Sequence, residues 1–201
     1  MNMKTVVVFF LLLASFQCCF GQTDTNVIAV GDWSATVPDK DGHLLRGRLL
    51  VYDEQTAHNH ARIYLELQHV FDGGRWDGPF EIYFNGRDDT LHFEMRDGHG
   101  QPVPMYPVSI RGMSPSPYWV SLPCDSTVRL RADSNLGSSS KPDGLEIFVD
   151  GGCWLLRPSA TNDFFLSASF TPPQDHPSAL KYHLWQGTLK LPKVKIPVRK
   201  P

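Results

Sequence analysis

The chain has 201 residues, with 19 Lys and Arg against 21 Asp and Glu, and a formal net charge of −2 at pH 7. That balance argues against nucleic acid or an anionic membrane as the main partner, because both need a strong basic excess. With 16 Gly and 16 Pro, few windows can carry a long helix.

The first 21 residues, "MNMKTVVVFFLLLASFQCCFG", have the three parts of a secretory signal. Lys4 and the terminal amine supply positive charge. Val6 to Ala14 is an unbroken apolar run. Cys19 and Gly21 are the small residues at positions −3 and −1 if cleavage falls before Gln22. The apolar run is shorter than the roughly 18–20 residues that span a bilayer, so no transmembrane anchor is expected. Cys18 and Cys19 raise lipid attachment as an alternative, but Phe16 and Gln17 ahead of them are bulky where small residues are wanted. The expectation is a secreted or periplasmic protein, with residues 22–201 forming one domain. Loss of Lys4 then moves the formal charge from −2 to −3.

Beyond the signal the chain reads as strands. Near the start, "DKDGH" (39–43) has two acids before a glycine. A calcium loop needs more acids than this, so a type I′ turn opening the next strand is expected. "LLRGRLLVY" (44–52) is that strand. "HNH" then sets His58 and His60 two apart, a spacing that places two imidazoles on one face of a strand. These are weak metal candidates, since no third or fourth ligand accompanies them in the sequence. "ARIYLELQHV" alternates clearly, with Ile63, Leu65 and Leu67 on one face and Tyr64, Glu66 and Gln68 on the other.

"DGGRWDGP" holds Trp76 in a Gly-rich loop, flanked by Arg and Asp. It can plug the core, or contact a ligand by stacking. "FEIYF" (80–84), "LHFEM" (91–95), "YPVSI" (106–110) and "YWVSL" (118–122) follow as strands. Tyr118 is a second candidate for ligand contact, whereas Trp119, Trp154 and Trp185 sit in strand patterns and are expected in the core. "STVRLRA" places Val128, Leu130 and Ala132 inward. "SNLGSSSKPDG" (134–144) is expected to be a surface loop between Cys124 and Cys153. In an oxidising compartment that pair is expected to form a disulfide, worth roughly 3–4 kcal/mol for a loop of about 30 residues.

"LEIFV" (145–149), "CWLL" (153–156), "FFLSASF" (164–170) and "LWQGTLKLP" complete the strands. Asp41-Gly42, Asn85-Gly86, Asp97-Gly98, Asp143-Gly144 and Gly151-Gly152 read as hairpin or bulge dipeptides. The tail "KLPKVKIPVRKP" is basic. It reads as an edge strand shielded by Lys and Pro, rather than as an anion-binding arm.

The resulting fold class is all-β: an antiparallel Ig-like β-sandwich of about ten short strands with little helix. "DWSATV", "LLRGRLLV", "IYLELQ", "YWVSLPCDSTVRLR", "TNDFFLSASF" and "WQGTLKLPKVKIP" together resemble a group of secreted proteins of planctomycete-type bacteria. The resemblance implies a stand-alone exported β-domain. That group has no established activity, so no catalytic residue is carried over.

No GxSxG elbow is present. Carboxylate pairs such as Glu66 with Glu94 carry no spatial information in sequence. The functional expectation is an exported non-catalytic module that binds an unidentified protein or glycan, without a cofactor. A carbohydrate-binding module using an exposed Trp is the alternative. A hydrolase or metal-dependent enzyme is the third class.

Overall fold

The structure, a computed structural model, describes residues 27–53, 60–71, 73, 78–85, 90–108, 118–132, 144–158, 163–173 and 184–198. Residues 1–21, with the expected signal and Cys18 and Cys19, lie outside them, as do His58 and Trp76. Among the described residues there are twelve strands and no helix, so the chain is all-β.

The spine is a long antiparallel pair, β3 (Leu44–Asp53) and β4 (His60–Val70), joined in register from Leu44↔Val70 to Asp53↔Ala61. At ten and eleven residues these are not short strands. Neither contains a proline, so nothing interrupts the ladder. Alternation sends Leu45, Leu49 and Val51 inward from β3, and Ala61, Ile63, Leu65 and Leu67 inward from β4. Each buried Leu or Ile contributes about 1.5–3 kcal/mol relative to exposure.

On its other side β3 is flanked by β1 (Val27–Val30) and β2 (Val37–Pro38). The far edge of β4 is divided. β8 (Thr127–Arg131) pairs antiparallel with Tyr64–Gln68, and β9 (Leu145–Val149) pairs parallel with His60 and Ala61. β9 continues as a hairpin into β10 (Gly152–Leu156). The sheet is therefore mixed and not antiparallel throughout. Side-chain alternation reports which face of a strand is buried, but it does not report the direction of the neighbour.

A second sheet sets β11 (Asp163–Phe170) between β6 (Leu91–Asp97) and β12 (Leu189–Pro197). A third pairs β5 (Phe80–Phe84) with β7 (Tyr118–Leu122). β12 lies across β1 and β3. A side chain at Gly47 would place its Cβ 2.9 Å from Leu191 Cδ2 and 3.0 Å from Leu67 Cδ2, so glycine permits the close approach of the layers. All three sheets feed one hydrophobic cluster, including Leu49, Leu65, Phe84, Leu166, Phe170 and Ile196. As an edge strand of its sheet, β12 exposes Lys190, Lys193 and Lys195 between buried Leu191, Val194 and Ile196. This is the arrangement read from the basic tail.

Two loops are built alike. At 39–43, Asp39 Oδ1 accepts the backbone N–H of Asp41 and of His43, and Gly42 has φ 90°. At 97–101, Asp97 Oδ1 accepts the N–H of His99 and of Gln101, and Gly100 has φ 79°. Only one residue in each loop has positive φ, whereas a type I′ turn needs two. Both are three-residue loops closed by a glycine bulge. In the second loop the special glycine is Gly100 and not Gly98.

The expected Cys124–Cys153 disulfide is not formed. The topology explains why. Cys153 pairs with Phe148, one residue beyond the Ala61↔Ile147 pair, so it lies at the level of Arg62. Cys124 lies just beyond the level of His69, whose N–H donates to the carbonyl of Ser126. The seven residue steps along β4 from one level to the other span roughly 23 Å at ~3.3 Å per residue. A disulfide needs Cα atoms within about 7 Å.

Candidate functional site: an arginine–aromatic sheet face

The inward residues of β3, β4 and β8 leave Arg46, Arg48, Leu50 and Tyr52, then Arg62, Tyr64, Glu66 and Gln68, then Thr127, Arg129 and Arg131 on the outer face. The ladder register sorts them into rungs. Arg46, Gln68 and Thr127 form one, Arg48, Glu66 and Arg129 the next, and Leu50, Tyr64 and Arg131 a third.

The middle rung is the electrostatic centre. Glu66 is buried, and both its oxygens are engaged. Arg48 Nε donates to Oε2 at 2.5 Å, and Arg129 Nη2 donates to Oε1 at 3.2 Å. One carboxylate thus serves two guanidiniums, which retain 28% and 38% side-chain exposure. On the neighbouring rung Arg46 Nε donates to Gln68 Oε1 at 2.8 Å. The described partners of Arg46 are neutral.

Aromatic rings hold these cations in place. The Arg46 and Arg48 guanidiniums lie 4.8 and 4.5 Å from the Trp33 ring centroid. Arg129 lies 5.5 Å from the Tyr52 ring, which meets Tyr64 edge-on at 5.1 Å. Stacking fixes the planar guanidinium while leaving its N–H edge usable. Under these groups Leu50 is buried, although it points away from the main core.

At the other end of β4 the same face is buried. His60 Nε2 is 2.9 Å from Glu146 Oε2, both residues are buried, and the Phe148 ring meets His60 edge-on at 5.2 Å. Opposite Phe148 stands Cys153, whose thiol is pushed up to about 11 by burial, then by the Glu146 carboxylate, against a smaller opposing effect from the backbone N–H of Ile147. A thiol so shifted is a poor nucleophile near neutral pH.

The residues singled out in the sequence fall in different places. His60 is engaged with Glu146, and among the described residues no three His, Cys, Asp or Glu side chains are grouped to hold a metal. Tyr118 opposes Phe84 in the β5–β7 register. Trp154 and Trp185 are buried, the latter stacked on Phe170 at 6.4 Å. Trp119 is 38% exposed, which corrects its expected place in the core. Phe80, Ile82 and Phe84 point inward from β5, so the register puts Tyr83 and Trp119 outward together, edge-on at 5.0 Å.

His43 and His69 are buried against Phe80, with ring centroids 5.2 and 4.5 Å from it. The arginine face itself was visible in sequence only as alternate arginines in "LLRGRLL" and "TVRLRA". Nothing there showed that Glu66 joins them.

No helix among the described residues is long and apolar enough to cross a membrane. Comparison with protein-family models, with curated proteins and with solved structures finds no match to this chain.

Proposed function

We propose that the chain is an exported, non-catalytic β-sandwich module of Ig-like plan that works by binding, with the outer face of β3, β4 and β8 as its contact surface. The observation that carries this reading is the middle rung. A buried carboxylate bridges two partly exposed arginines, beside a third whose described partners are neutral. Purely solvated sheet faces gain little from such organisation, because surface ion pairs contribute about 0–1 kcal/mol. A pre-ordered, ring-supported arginine cluster is instead the kind of surface enriched at interfaces. The Ig-like plan is supported by β12 lying across β1 and β3 through Gly31 and Gly47. Export rests on the composition of residues 1–21 and on the resemblance to secreted proteins.

The test has two parts. Intact mass of the exported protein should match residues 22–201; a lipid-bearing or uncleaved mass refutes release by the signal. The mature protein and an Arg46→Ser/Arg129→Ser variant should then be screened against envelope proteins and glycans. Hits lost in the variant support this face as the contact. Hits that persist unchanged overturn it.

The outward Tyr83–Trp119 pair, of which Trp119 is exposed, favours a second reading, a carbohydrate-binding module that stacks a sugar ring there. Trp119→Ala would then abolish glycan hits that the arginine variant retains.

A further inference from the structure

The arginine face has a geometry that narrows its ligand. Arg46 and Arg48 are two residues apart on one strand, about 7 Å, and Arg48 and Arg129 are separated by the width of β4, about 10 Å. Arg46, Arg48 and Arg129 thus stand on one sheet face with a single buried carboxylate, Glu66, between the last two. The chemistry already accommodated there is a carboxylate, held by Arg48 from one strand and Arg129 from another. The arginines occupy successive rungs of a sheet face, so the face suits a ligand with anions in series. It is also a sheet face and not a sheet edge. An extended peptide is normally held at an edge by main-chain hydrogen bonds, which a face does not offer. A sugar polymer needs none, and its rings can lie against the half-buried Trp33, Tyr52 and Tyr64 while its carboxylates meet the guanidinium edges.

We infer that the outer face of β3, β4 and β8 binds an acidic polysaccharide, a chain of uronate-type sugars whose carboxylates are taken by Arg46, Arg48 and Arg129. The inference rests on the reading of this face as the contact surface, and it names the ligand class.

Titration calorimetry of the mature protein with polygalacturonate tests it. The controls are its methyl ester, which keeps the backbone and loses the charge, and polyglutamate, which keeps carboxylates and loses the rings. Binding is expected for polygalacturonate alone, and it should weaken as salt rises through the screening range. Arg46→Ser should weaken it roughly fivefold to tenfold, as expected for a contact arginine, with an unchanged melting temperature because no buried charge is stranded. Arg129→Ser, which leaves Glu66 paired with Arg48 alone, should weaken binding by a similar factor and lower the melting temperature. Equal binding of the ester, preference for polyglutamate, or indifference to both substitutions overturns the acidic-polysaccharide assignment. If envelope-protein hits are still lost in the double arginine variant, the binding face survives and only the ligand class fails. If no ligand of any class depends on these arginines, the face itself fails.

Discussion

Glu66 and Cys153 show how far one side chain's surroundings decide its behaviour. Glu66 is buried because two arginines hold it, and removing it leaves both without their carboxylate. Glu66→Ala should destabilise the fold by about 1–3 kcal/mol, a figure kept low because both arginines still reach solvent; urea denaturation checks it. Cys153 gives a pH signature. Its thiol is raised from 9.0 to about 11 in the folded chain. Below about 9 it is protonated in both states, so its contribution is fully present. Between the two values the unfolded chain releases the proton while the folded chain keeps it, so stability falls as pH rises. Cys153→Ala should flatten that alkaline decline, seen in denaturation curves taken on either side of pH 9. A decline of the same size in the variant would assign it to other groups. Neither effect was visible in the sequence. Glu66 read as one outward residue among several, and Cys153 read as half of a bridge.

Among the elements, the β9–β10 hairpin has a narrow sheet attachment. It joins β4 through the Glu146 and Ile147 positions alone, and the His60–Glu146 contact reinforces that junction. His60→Ala strands a buried carboxylate and should cost about 1–3 kcal/mol. Amide exchange should then quicken over 145–156 before it does over 44–53. Uniform quickening would mean that the hairpin is not a separate unit. Strand identity was largely legible, since β3, β4, β8, β11 and β12 follow alternation that has one physical cause, a buried face. Partner and direction were not legible. Nothing local in "LEIFV" says that it will run parallel to β4, because a strand's pattern records its faces and not its edges. Trp119 was misread for a related reason. Both faces of "YWVSL" offer apolar residues, and only the pairing with β5 decides which set turns inward.

For the whole molecule, stability comes from one core shared by three sheets and not from a covalent staple. The unfolding midpoint of a chain of residues 22–201 should be the same with and without reductant, and thiol titration of that chain, unfolded and unreduced, should count both Cys124 and Cys153. A midpoint that falls with reductant would mean that a Cys124–Cys153 bridge forms after all. The pairings are mostly non-local, with β8 returning to β4 and β11 to β6, so folding belongs to the slower range of milliseconds to seconds. The crossing of β12 over β1 has one more consequence. Gly31 meets Val194 and Gly47 meets Leu191, so β12 ascends beside β3 while β1 descends, and Val27 and Val198 finish at the same end of that sheet. A short linker can therefore join them, and the chain can be reopened in an exposed turn such as 98–100. Such a circular permutant would keep every strand pair, and it would leave the arginine face unobstructed whichever end is tethered to a surface.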